Sequence, residues 1–218
     1  MFPLDKTLQS FSFARLWSIL FITAFLTLII LLSLVFSVAY VSSITIDFEP
    51  EWIEKFVESL IAILSGVASW FLLPVLMPLI AGFFEAVVVR KVENVYYSEV
   101  QSGSAETFWS DLWYDIKFTF KALIINILIL PFYLIGIGFI VSIVVNSYLL
   151  GMEFFVNVAS YDVGKRNARD LFNENRIPAL IGGLVFTLLS LIPVVNLFVP
   201  IFAIVWMVHL YRGYIQST

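Results

Sequence analysis

Four hydrophobic stretches, roughly residues 16–44, 56–89, 122–150 and 177–210, occupy most of this 218-residue chain. Each exceeds the ~20 residues that an α-helix needs to cross the apolar core of a bilayer. Lipid accepts apolar side chains without limit but offers no partner to an unsatisfied backbone group. Runs of this length therefore point to an all-α integral membrane protein, here a single domain over residues 1–218. Composition agrees, because 61% of residues are hydrophobic and 13% charged, against about 45–50% and about 25% in soluble domains. The 22 phenylalanines exceed what a soluble core of this length can hide from water.

Charge and cysteine content exclude several functions. A net charge of −4 leaves no overall basic field to attract nucleic acid. With no cysteine there is no disulfide, no thiolate metal site and no cysteine nucleophile, and the compartment stays open on that count.

The four stretches differ in their breaks. The first has no Pro or Gly between Arg15 and Thr45 and reads as a plain transmembrane anchor, too long for a signal-peptide core. The second contains Gly66, Pro74, Pro78 and Gly82, consistent with a kinked crossing helix that leaves the bilayer at Arg90, Lys91, Tyr96 and Tyr97. The third is interrupted by Pro131, Gly136 and Gly138, and the fourth by Pro193-Val194-Val195-Asn196. Arms of about 14 residues beside the fourth break reach only about 21 Å, short of a ~30 Å core. Such arms joined by a turn form a hairpin that enters the membrane and returns to the same side.

Basic residues favour that topology. If the third and fourth stretches are re-entrant hairpins, every Lys and Arg except Lys55 falls on the side of Lys6 and Arg15. Four full crossings would instead put Lys165, Arg166, Arg169 and Arg176 on the far side with Lys55. The positive-inside bias selects two long transmembrane helices plus two re-entrant, half-penetrating hairpins. Between the hairpins, residues 151–175 read as an exposed amphipathic helix, with Asp162/Arg166 and Arg166/Asp170 at i,i+4 spacing.

The segments Tyr148-Leu149-Leu150-Gly151-Met152-Glu153-Phe154-Phe155, Gly182-Gly183 and Ile192-Pro193-Val194-Val195-Asn196-Leu197-Phe198-Val199-Pro200 carry a family likeness. Upstream, Phe71-Leu72-Leu73-Pro74, Gly82-Phe83-Phe84-Glu85 and Val92-Glu93-Asn94-Val95-Tyr96-Tyr97 extend it. Over nearly its whole length the chain resembles the CysZ-like sulfate permeases, whose superfamily includes the etoposide-induced membrane proteins. The resemblance implies a bacterial inner-membrane, multi-pass protein with two crossing helices and two half-penetrating hairpins. It also implies a homo-oligomer that passes sulfate or a related small anion. Where those permeases carry a glycine and paired arginines, this chain reads Phe13-Ala14-Arg15-Leu16, with one arginine and no glycine.

An anion inside a membrane needs donors and positive potential, which helix N-termini and a few basic side chains supply. Asn196 is placed to cap the last arm. Asn126 and Asn146 lie in the third stretch, where an unpaired amide is costly. Glu85, Glu153 and Arg90 border apolar runs, and carboxylates at such depth are functional candidates. Arg15, Lys165, Arg166 and Arg169 could gather anions or lipid headgroups. Each has a plainer reading as a turn, an interhelical hydrogen bond or a membrane anchor. His209, the only histidine, has no ligand partners at metal spacing and reads as an interfacial side chain beside Tyr211 and Arg212. No phosphate loop or nucleophile–base constellation is present, so the chain reads as a non-enzyme without a cofactor. Two functions remain open: an anion permease, and a non-transporting membrane protein that organises lipids or partner proteins.

Overall fold

The structure is a computed structural model that describes residues 3–45, 49–99 and 108–215. Every regular element among them is helical. In chain order these are α1 (Leu4–Phe13), α2 (Trp17–Thr45), α3 (Glu51–Tyr96), α4 (Phe108–Leu134), α5 (Gly138–Glu174), α6 (Arg176–Ser190), α7 (Pro193–Asn196) and α8 (Val199–Leu210). A π-helical turn follows at Tyr211–Ile215. Among the described residues, three helical segments are long and apolar enough to cross a membrane: α2, the Ile116–Leu134 part of α4, and α5.

The chain divides into two compact units, Ser18–Phe84 and a larger one formed by Met1–Trp17 with Glu85–Thr218. In the smaller unit α2 is apolar throughout, and its hydroxyls turn inward onto their own helix. Thr23 donates to the Leu20 carbonyl at 2.9 Å, Thr27 to that of Thr23 at 2.8 Å and Ser42 to that of Ala39 at 2.8 Å. A hydroxyl bonded to its own helix avoids being left unpaired in an apolar environment. The second hydrophobic stretch belongs to one unbroken helix, α3; the side chains of Pro74 and Pro78 lie outside the described residues.

The larger unit is built around α8, which is buried on all sides except for half-buried Phe202. A helix that is apolar all round needs such surroundings. Phe202 and Trp206 of α8 meet Phe186 of α6 edge-on, with ring centroids 6.3 and 6.0 Å apart. Helix α1 lies against α8 through Phe11, stacked on Phe202 at 6.5 Å.

Helices α5 and α6 approach most closely at a seam of small residues. A Cβ on Gly183 would collide with the Ser147 carbonyl and lie 2.7 Å from the Gly151 nitrogen. A Cβ on Gly151 would lie 2.6 Å from the Ala179 carbonyl. Beside the seam, Thr187 donates to the Gly183 carbonyl at 2.9 Å. Small residues permit this backbone approach where lipid provides no hydrophobic drive between helices.

The breaks refine the sequence reading. Pro131 does not interrupt the third stretch but sits inside the last turn of α4. The reversal comes at Gly136, whose φ of 80° suits glycine alone among ordinary residues. In the fourth stretch α6 and α8 have 15 and 12 residues and are separated by α7, so the break does fall at Pro193–Asn196. Asn196 ends α7 and is not the cap of α8; Phe198 holds that place because Pro200 sets the first turn of the next helix. Pro178 stands in the first turn of α6, where its missing N–H is harmless.

Helix α5 continues past its apolar part, as expected, but bends at Gly164, where φ is 77° and ψ 158°. Beyond the bend Lys165, Ala168 and Phe172 are buried while Arg166, Asn167, Asp170 and Asn173 are exposed, an amphipathic pattern. The bend prevents the expected Asp162/Arg166 pairing, since i,i+4 neighbours meet only along a continuous helix. Asp162 pairs elsewhere, with Arg212. Gly183→Leu should force α5 and α6 apart and lower the detergent-solubilised melting temperature sharply, whereas Leu184→Ala, at an exposed neighbouring site, should leave it nearly unchanged. Equal melting temperatures for Gly183→Leu and wild type would refute the tight seam.

Candidate functional site

The buried charge of the larger unit gathers where the end of α3, the middle of α5 and the turn after α8 meet. Along α3, Glu85, Val88, Val89, Val92 and Glu93 are all buried. Their helical spacing places two acids on one inward stripe. Glu93 faces Arg212: Nε donates to Glu93 Oε1 at 2.7 Å and the Nη2 contact to the same oxygen is 2.6 Å. From the other side Asp162 takes Nη1 at 2.5 Å and Nη2 at 3.2 Å. The Arg212 side chain is 1% exposed, and those of Glu93 and Asp162 are 6% and 10% exposed.

Burial works against the guanidinium charge, but hydrogen bonds to Asp162 and Glu93 outweigh it and raise the Arg212 pKa. Tyr211 completes the group by donating its hydroxyl to Asp162 Oδ2 at 3.1 Å. Burial, followed by the Asp162 charge, pushes the Tyr211 phenol well above its ordinary range, so it stays a donor.

One turn earlier His209 is buried and occupied at both nitrogens, so it is not the interfacial side chain that its position suggested. Ser10 Oγ donates to the Lys6 carbonyl at 2.7 Å, which commits its only hydrogen. Ser10 must then accept from His209 Nε2 at 2.7 Å. His209 Nδ1 is left to accept from the Tyr97 hydroxyl at 2.9 Å. The Nε2–H tautomer of a neutral imidazole satisfies every partner and joins α1, the end of α3 and α8.

A second polar junction lies between α3, α4 and α5. The Lys165 ammonium is buried, donates to Asn157 Oδ1 at 2.6 Å and stands 5.8 Å from the centre of the Tyr114 ring. The Asn157 amide in turn reaches Glu85 Oε2 at 3.5 Å. Tyr114, Phe118, Met152, Glu153, Val156 and Asn157 line a small recess beside it. Among the described residues the buried Tyr114 hydroxyl oxygen has no hydrogen-bond partner. Acid, amide and base are thus held in series from Glu85 through Asn157 to Lys165.

The structure brings together only some of the sequence candidates. Glu85, beside Asn157, and Glu153, in the lining of the recess, both belong to the second junction. Arg90 and Arg166 are exposed, and Arg169 is half-buried. Asn126 donates to the Ala122 carbonyl of its own helix at 2.9 Å, and Asn146 to Ser142 Oγ at 3.0 Å. Arg15 is exposed in the turn between α1 and α2 with a φ of 52°, unusual for a non-glycine residue. Its carbonyl accepts from Lys91 Nζ at 3.4 Å.

Sequence reasoning missed Glu93, Asp162, Asn157 and the partners of Arg212 and His209. The inward stripe on α3 was the available signal, because its acids recur with the buried valines. Arg212→Met should strand two buried carboxylates and destabilise the protein by about 3–5 kcal/mol. Adding Glu93→Gln and Asp162→Asn should recover much of that loss in a melting assay. No loss in the single variant would show that the ion pairs carry no weight.

No curated protein matches the chain. The family model described as "Sulfate transporter CysZ/Etoposide-induced protein 2.4" matches residues 4–200, covering α1 to α7 and the start of α8. The chain is therefore a membrane protein belonging to the sulfate transporter CysZ/etoposide-induced protein 2.4 family.

Proposed function

We propose that the protein is a multi-pass permease for sulfate or a related small anion, working as a homo-oligomer in a bacterial inner membrane without a cofactor. The match to a family described as a sulfate transporter over residues 4–200 carries the reading. Basic side chains support it, since with paired re-entry every Lys and Arg except Lys55 would lie on one side.

In this reading α2 and α3 cross the membrane, and the α4–α5 and α6–α8 pairs enter and return. Helices α6 and α8 would reach only about 22 and about 18 Å, so they suit a half-penetrating hairpin. The apolar parts of α4 and α5 are long enough to go deeper. Sidedness is the same at either depth, because a pair of helices joined by a reversal always returns to the side it left.

Anions would be collected by Arg15, Arg90, Arg166 and Arg169 at that side. Glu85, Asn126, Asn146, Glu153 and Asn196 would line or shape the way inward. With no ATP-binding motif in the sequence, transport would be passive or driven by an ion gradient. The organising role, with no transport, is favoured by one observation: the stretch around Arg15 has a single arginine and no glycine.

Radiolabelled sulfate flux into liposomes carrying the purified protein separates the two. Saturable flux above that of empty liposomes is expected. Arg15→Asn, which tolerates the left-handed backbone at this position, should weaken it by about tenfold, the weight of one charge-assisted hydrogen bond. Absence of flux from folded, inserted protein would contradict the permease reading. Full flux in the variant would remove Arg15 from the path.

A further inference from the structure

We propose that the entry end of α4 carries a binding site for an anionic phospholipid headgroup, formed by Trp113, Lys117 and Lys121. These residues recur every four positions along one side of a helix whose apolar part begins at Ile116. All three are exposed, and Lys117 Nζ stands 5.1 Å from the centre of the Trp113 ring. That contact orients the ammonium against an indole, the side chain most at home at the headgroup level.

Neither lysine has a counter-charge within helical reach. The positions three and four residues away from Lys117 are Trp113, Tyr114, Phe120 and Lys121. Those around Lys121 are Lys117, Phe118, Ile124 and Ile125. Among the described residues no ion pair involves either one. Both lie in the first half of α4, away from the C-terminal carbonyls that stabilise cations at a helix end. Two adjacent like charges without compensation repel each other unless an anion sits between them.

What covers the rest of this helix identifies that anion. Phe120, Ile124, Ile127 and Leu128 continue from the lysines and are 65%, 46%, 54% and 64% exposed. Almost none of the apolar part of α4 is buried within the protein. In a membrane protein such a face is covered by acyl chains. A molecule that is apolar along Ile124–Leu128 and negative at Lys117 and Lys121 is a phospholipid with a net negative headgroup. The site is independent of anion transport.

The test is the melting temperature of the purified protein in neutral detergent, titrated with phosphatidylglycerol, phosphatidylcholine or inorganic phosphate. Phosphatidylglycerol should stabilise the wild type more than phosphatidylcholine, and inorganic phosphate should have little effect. The Lys117→Gln/Lys121→Gln variant should bind phosphatidylglycerol roughly tenfold more weakly or worse. Lys117→Arg/Lys121→Arg should keep the preference, and Arg166→Gln, an exposed charge elsewhere, should leave it unchanged. The proposal fails if the glutamine variant keeps the wild-type preference, or if Arg166→Gln loses as much. It fails equally if inorganic phosphate or phosphatidylcholine stabilises as well as phosphatidylglycerol.

Discussion

A charge withdrawn from water must be neutralised where it sits, and Arg212 meets that condition with two carboxylates at once. Glu93 comes from the end of α3 and Asp162 from α5, so one guanidinium ties both helices to the chain leaving α8. The planar fork of arginine suits this task better than a lysine ammonium. Next to it, His209 uses both nitrogens to join Ser10 of α1 to Tyr97. Removing any one partner would leave a buried polar group unpaired, which costs more than the bond itself contributes. The fully buried α8 is held at its C-terminal end by this layer and along its length by aromatic packing.

Helix breaks do the complementary work. Gly136 reverses the chain between α4 and α5, α7 separates α6 from α8, and Gly164 turns α5 so that Asp162 and Lys165 serve different neighbours. Glycine permits the turns at 136 and 164, proline marks the break at α7, and the seam of Gly151 and Gly183 locks α5 against α6. The polar junctions therefore depend on close backbone approach, and that approach depends on residues without side chains.

Much of this was legible in the sequence. The apolar stretches gave the helices, and Pro193-Val194-Val195-Asn196 marked the break between α6 and α8. Local signals failed where a competing constraint acted. Pro131 was absorbed in the last turn of α4, and Pro200 moved the start of α8 away from Asn196. Gly164 cancelled a favourable i,i+4 spacing. The site was less legible, because Glu93, Asp162 and Arg212 are far apart in the chain and each alone resembles a surface charge. Only the recurrence of acids among the buried valines of α3 hinted that they point inward. His209 misled for the same reason: its partners, Ser10 and Tyr97, are distant, and hydroxyls leave no pattern in a sequence.

Whether each broken stretch returns to the side it entered decides how the basic residues can act together. The cysteine-free sequence makes this directly measurable with single cysteines at exposed Glu51, Arg90 and Arg166 and a membrane-impermeant thiol reagent. Paired re-entry predicts that positions 90 and 166 are labelled from the same face and position 51 from the opposite one. Labelling of 90 and 166 from opposite faces would mean that the third stretch crosses once, and would contradict a shared basic face.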